Sequence, residues 1–259
     1  MSSPTLTQKL GAEVLGTAIL VFIGAGSVPL TVFLTAGAGG TGIDGTAGLS
    51  TISFAFAFAI FAAIYSVGHI SGAHINPAVT IALLATRKID GSTAGAYIAA
   101  QLVGAFVGAG LTFIILTGND PQALGLGAVS VNANAGLPIG FAAEVIGTAI
   151  LVFTVFGAAV SGKAPAGFAG IAIGFIVYGI IILVGPITGA ALNPARQIGP
   201  DILEMVTGGA AVAWDALAVV YIAGPIVGGL VGAFLYEFIG REAPAPASAS
   251  VPEGAREAA

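Results

Sequence analysis

Charged positions are so sparse along this chain that the apolar stretches between them read directly. Charge-free runs extend over Val14–Ile43, Gly45–Thr86, Gly91–Asn119, Pro121–Ala143, Val145–Gly162, Ala164–Ala195 and Ala216–Tyr236. Each is near or above the roughly 20 residues that a helix needs to cross the hydrocarbon of a bilayer. None alternates apolar with polar residues as barrel strands do. Because unpaired backbone amides are costly in lipid, helices follow.

Two runs are too long for one crossing: Gly45–Thr86 holds 42 residues and Ala164–Ala195 holds 32. Both surpluses contain the tripeptide NPA, as Asn76-Pro77-Ala78 and Asn193-Pro194-Ala195. Asparagine is a favoured helix N-cap and proline a favoured first helical residue, so each NPA predicts the start of a short new helix. The pattern therefore predicts an all-α membrane protein with crossings at about 11–33, 49–68, 94–117, 138–160, 167–185 and 215–238. Two re-entrant half-helices, about 77–86 and about 194–203, are added to the six spans.

Composition agrees with the pattern. Charged residues make up 7% of the chain, against roughly 25% in soluble domains. Apolar residues reach 57%, and there is no cysteine, which excludes disulfides and thiolate chemistry. The net charge of −5 says little, because much of it sits at the chain ends. No nucleic-acid partner and no cofactor are expected. The first apolar stretch is of full span length without a convincing small-residue cleavage site, so no cleavable signal peptide is predicted.

The cations set an orientation. Lys9, Arg87, Lys88, Lys163 and Arg241 all fall on one side of the predicted spans. By the positive-inside rule that side is cytoplasmic and holds both termini of a multi-pass cell-membrane protein. The opposite loops carry Asp44, Asp120, Asp201, Glu204 and Asp215, and Arg196 is the lone cation there. Residues 1–10 are thus expected to be a cytoplasmic N-terminus, 11–240 the membrane-spanning domain, and the Pro/Ala-rich 241–259 a tail predicted to be disordered.

The domain is an internal duplication. AEVLGTAILVF at Ala12–Phe22 matches AEVIGTAILVF at Ala143–Phe153 in ten of eleven positions. GHISGAHINPA from Gly68 aligns with GPITGAALNPA from Gly185, and YIAAQLVGAFVGA from Tyr97 with YIAGPIVGGLVGA from Tyr221. Spans one to three (about 11–117) therefore repeat as spans four to six (about 138–239). Three is odd, so the second copy enters from the opposite face. Inverted repeats with broken helices at matching places point to a transport pathway at the bilayer midplane.

The two Asn-capped half-helices should meet there, each contributing the positive end of a helix dipole of about half an elementary charge. Such ends repel cations and disfavour a travelling proton. The Asn76 and Asn193 amides can donate to a passing oxygen, and carbonyls of the stretches before each NPA can accept. Gly68, Gly72, Gly185 and Gly189 suit non-helical backbone along that wall. A pore for neutral polar molecules is the economical inference.

These residues resemble the aquaporin and glycerol-facilitator superfamily, through SGAHINPAVT at Ser71–Thr80 and GPITGAALNPAR at Gly185–Arg196. The resemblance covers roughly residues 8–240. It implies central pore asparagines at Asn76 and Asn193 and an outer selectivity filter of Phe56, Ile181, Ala190 and Arg196. It also implies loop-bracing carboxylates at Glu13 and Glu144, pore-wall histidines at His69 and His74, and a homotetramer passing water and small neutral solutes through the lipid bilayer.

The filter departs from either branch of that family. Water-selective members usually place histidine at the position of Ile181, and glycerol facilitators typically pair two aromatics where this chain has Phe56 and Ala190. Gln197 stands where the glycerol branch has aspartate, while Tyr221 suits the water branch and Ile222 the glycerol branch. A filter wider and less polar than a strict water pore is predicted, passing water and small neutral solutes such as glycerol; strict water selectivity, or secondary transport of a small neutral solute, is the alternative.

Other readings are weaker. His69 and His74 have no third metal ligand of fitting type nearby, so no metal site is predicted. A coupled transporter would be expected to carry a midplane acid, and no Asp or Glu falls in the central part of any predicted span. An intramembrane enzyme would need a nucleophile with its base, and Ser71 shows no acidic partner along the sequence. Phe54 and Phe58 are expected to face lipid or packing, leaving Phe56 for the pore.

Overall fold

A computed structural model of the protein describes residues 3–37, 45–118 and 125–240. Asp44, Asp120, Arg241 and the tail lie outside the described residues. Six helices are long and apolar enough to cross a membrane: α1 (Leu6–Thr35), α2 (Gly45–Ser71), α4 (Gly91–Leu116), α5 (Gly136–Val160), α6 (Ala169–Thr188) and α8 (Trp214–Ile239). Between them lie two short helices, α3 (Pro77–Ala85) and α7 (Pro194–Val206). Both begin at the proline of an NPA, with the asparagine as N-cap in extended conformation.

Helix ends follow local chemistry. Thr5 and Gln8 form a reciprocal capping box at 2.8 and 3.3 Å, which starts α1 ahead of its apolar run. Asp90 caps α4 by accepting from the Thr93 amide at 2.9 Å. Gly189 ends α6 in the left-handed region, φ 77°. Predicted pore-wall glycines divide at this point. Gly72 and Gly189 take positive φ, whereas Gly68 and Gly185 stay inside α2 and α6.

The duplication is visible in the packing. In the first repeat, α1 lies against α4 where a Cβ on Gly104 or Gly108 would run into Val14 O or Ala18 O. In the second, α5 lies against α8 where a Cβ on Gly228 or Gly232 would run into Val145 O or Ala149 O. Small residues let transmembrane backbones approach closely where the hydrophobic effect supplies little drive. Each half-helix also packs on the other repeat. Gly199 of α7 touches Ala105 of α4, and Gly229 of α8 touches Ala78 of α3.

Gly228→Leu should therefore part α5 from α8. Overpacking of this kind typically costs about 1–3 kcal/mol, and here backbone rather than a flexible side chain stands in the way. Thermal unfolding in detergent should show a lowered midpoint for Gly228→Leu and none for Gly110→Ala, whose Cβ would meet nothing within 4 Å. Equal midpoints would contradict the packing role.

An ion pair joins Lys88, between α3 and α4, to Glu237 in the last turn of α8 at 3.1 Å. Both side chains are more than a third exposed, so the pair is worth about 0–1 kcal/mol. Its structural content is that these two segments share one membrane face, as an even number of intervening crossings requires.

Candidate functional site

Between α2 and α3 the chain runs from Ser71 to Asn76, and between α6 and α7 from Thr188 to Asn193. Neither segment is helical, and both adopt the same unusual backbone. Gly72, Ala73 and Ile75 have φ of 91, 47 and 45°, and Gly189, Ala190 and Leu192 have 77, 50 and 54°. Left-handed conformations in alanine, isoleucine and leucine cost on the order of 1–3 kcal/mol each and persist only where the surroundings over-determine them.

Two buried carboxylates do this. Glu13 Oε1 accepts from Ser71 Oγ at 2.6 Å and His74 N at 2.9 Å, and Oε2 from Ile75 N at 2.7 Å and Gln101 Nε2 at 2.8 Å. Glu144 Oε1 accepts from Thr188 Oγ1 at 2.6 Å and Ala191 N at 2.9 Å, and Oε2 from Leu192 N at 2.7 Å. Each hydroxyl donor in turn accepts from the amide two residues on, Ala73 or Ala190. Tyr97 and Tyr221 close the outside of each turn by donating to Ser71 O and Thr188 O, both at 3.0 Å. Ser71 does therefore have an acidic partner, which the sequence order hides. It hydrogen-bonds a carboxylate as a brace, and His74 turns its ring to Thr80 Oγ1 at 3.2 Å, so no nucleophile–base pair results.

The half-helices meet end to end. Asn76 Nδ2 donates to Leu192 O, and Asn193 Nδ2 donates to Ile75 O, both at 2.8 Å. Each asparagine thus reaches the residue just before the other. Its Oδ1 simultaneously caps its own helix, accepting from Ala78 N at 2.8 Å or from Ala195 N at 3.0 Å and Arg196 N at 3.2 Å. An amide nitrogen carries two hydrogens, so this clasp leaves one donor on each asparagine for the cavity they line.

That cavity has a volume of about 330 Å³. Asn76, Asn193, Phe56, Ile181, Ala190 and Arg196 all line it, together with His74 and, at one end, Lys88. Ile60, Ile64, Val155, Ile173 and Val177 make the rest of its wall largely apolar. Pro77, Ala78, Pro194 and Ala195 are buried but stand outside this lining. They set where the half-helices begin. His69 is also not part of the wall. It sits in the last turn of α2 and is exposed, because the helix continues through Gly68 to Ser71 and rotates it outward. Phe56 is buried, whereas Phe54 and Phe58 are 41% and 57% exposed.

Arg196, in the first turn of α7, is 1% exposed. Its Nη1 donates to Gly127 O at 2.7 Å, and the guanidinium carbon stands 5.1 Å from the centroid of the Phe56 ring. Its Nε and Nη2 make no hydrogen bond among the described residues. Buried donors are ordinarily paired, so two unpartnered nitrogens on a residue that lines the cavity stand out.

Several contributors were not singled out from sequence. Tyr97 could have been, since it leads one copy of the third repeated stretch as Tyr221, read above only as a branch marker, leads the other. Gln101 could not, because its counterpart in the second copy is Pro225. Gly127, Glu204 and Lys88 join the site through contacts far apart in the chain.

Comparison with known proteins places these features in a family. The family model for the major intrinsic protein matches residues 1–236. Aquaporin AqpM of Methanothermobacter marburgensis is 43% identical, the match covering 92% of this chain and 99% of that one. Nodulin-26 of Glycine max is 34% identical, covering 90% and 78%. The X-ray structure of the aquaglyceroporin from Plasmodium falciparum superposes with a TM-score of 0.72 at 29% identity, covering 90% of this chain and 94% of that chain. Two inverted repeats, paired NPA half-helices and matches over nearly the full length agree: the chain belongs to the major intrinsic protein family.

Proposed function

We propose that this passive membrane channel conducts water and glycerol, with Phe56, Ile181, Ala190 and Arg196 as its selectivity filter. Family membership makes it a channel and not an enzyme. The solute reading rests on one observation. Ile181 and Ala190 line the same cavity as Arg196 with apolar side chains, and the Arg196 guanidinium has two nitrogens without a partner among the described residues. A polyol presents hydroxyls on one side and C–H groups on the other, and that division of donors from apolar surface suits it.

The positive ends of α3 and α7 at the Asn76–Asn193 clasp oppose cations and protons. We place both termini in the cytoplasm of a cell carrying the protein in its outer permeability membrane, on the charge asymmetry given above. A homotetramer is the proposed assembly, supported by the family and by apolar outer helix faces such as Leu183, Phe58 and Ile146.

Reconstituted channels should speed both the shrinkage of vesicles under an impermeant osmolyte and their reswelling in glycerol, followed by stopped-flow light scattering. Fast water flux with glycerol flux equal to that of empty vesicles would establish strict water selectivity instead.

A further inference from the structure

Glu204 falls on a predicted outer loop, but it lies in α7 and is 7% exposed. Its Oε1 accepts from Leu126 N and, at 3.4 Å, from Ala128 N. These two amides flank Gly127, whose carbonyl is the acceptor for Arg196 Nη1. One residue further on, Gln197 accepts from Val129 N at 3.3 Å and donates to Val129 O at 2.8 Å. The half-helix that carries Arg196 therefore also holds the segment on which Arg196 leans.

Glu204 is the side chain that holds the residues on both sides of Gly127, whereas Gln197 holds the segment two residues further on. Gly127 has φ of 91° and runs so close to Ala25 O that a Cβ would collide with backbone, so the segment has no side chain of its own to anchor it there. Of the guanidinium nitrogens, only Nη1 has an acceptor among the described residues. The direction of the idle Nε and Nη2 then depends on where Gly127 O stands and on the Phe56 ring beneath.

We propose that Glu204 is a positioning residue for the selectivity filter, fixing the Gly127 carbonyl and through it the aim of Arg196. The proposal rests on the reading of Arg196 as a filter residue. A buried carboxylate accepting from amides on both sides of Gly127 holds the turn more strongly than a neutral acceptor would. Its removal frees a turn of loop beside the pore without touching the pore wall itself.

The test uses full-length channels in proteoliposomes, with flux normalised to the amount of reconstituted protein, and reads the ratio of glycerol to water permeability. Glu204→Ala should change that ratio about three- to tenfold, the factor that loss of one net hydrogen bond produces. Glu204→Gln, which keeps an acceptor for Leu126 N, should restore most of it. In an Arg196→Val background, Glu204→Ala should change nothing further.

An unchanged ratio in Glu204→Ala, or an equal shift with and without Arg196, overturns the proposal. If Glu204→Ala does not fold, Glu204→Asp decides: the carboxylate is drawn back from the loop with its charge kept, and an unaltered ratio overturns the proposal as well. Arg196→Val alone separates the two levels. Should it leave the ratio unmoved, the filter reading fails; should it move the ratio while Glu204 variants do not, only the positioning role fails.

Discussion

Glu144→Ala is expected to leave no stable channel. The substitution strands three buried donors, Thr188 Oγ1, Ala191 N and Leu192 N, whose acceptor is the Glu144 carboxylate. Each unsatisfied group costs about 1–3 kcal/mol, so the sum, on the order of 3–9 kcal/mol, is comparable to the whole stability of a typical domain. Leu192, at φ of 54°, also loses the bond that holds it in the left-handed region, and Ala190, at 50°, is left leaning on a Thr188 hydroxyl that Glu144 no longer fixes.

Glu144→Gln should be intermediate, since it keeps one acceptor oxygen and turns an N–H₂ toward the other donors. Glu13→Ala should be at least as severe, because four donors converge on that carboxylate. Thermal unfolding of the purified protein in detergent, with membrane yield beside it, measures this. A Glu144→Ala channel with an unaltered midpoint and full water flux would show that the loop holds itself.

Ile181→His should separate the two solutes. Ile181 is buried in the wall shared with Phe56, Ala190 and Arg196 and offers a passing molecule only apolar surface. An imidazole reaches further across the cavity and replaces that surface with a ring nitrogen. Water needs little width and accepts or donates in any direction, whereas glycerol must fit its carbon backbone against an apolar wall. Glycerol flux is expected to fall by more than about tenfold, equivalent to about 1.4 kcal/mol of barrier. Water flux should change far less. Equal loss of both in stopped-flow measurements would count against Ile181 as a filter residue.

Much of this was legible in the chain. The spans predicted at about 11–33 and about 138–160 became Leu6–Thr35 and Gly136–Val160. The errors lie at the ends, where caps such as Thr5 with Gln8 carry helices beyond the apolar run. The half-helices began where NPA placed them, because an Asn cap followed by proline is a local signal. His69 was misplaced for an equally local reason. Gly68 was taken as a break, yet inside a packed bundle glycine keeps helical φ at little cost, and α2 ran on to Ser71.

What the sequence alone determined is the bilayer as solvent, the six crossings with two interruptions, and the inverted duplication. These depend on composition, period and repetition, all of which act within a few turns of chain. Only the tertiary structure decided which polar atoms answer one another. Asn76 finds Leu192 O across 116 residues, Glu13 finds Gln101 across 88, and Glu204 finds Leu126 across 78. Buried donors and acceptors are costly to leave unpaired, and these partners lie too far apart in the chain for any local signal to announce them. Among the described residues Arg196 Nε and Nη2 stay without such a partner, as do Thr17 Oγ1, Thr148 Oγ1 and Gln101 Oε1.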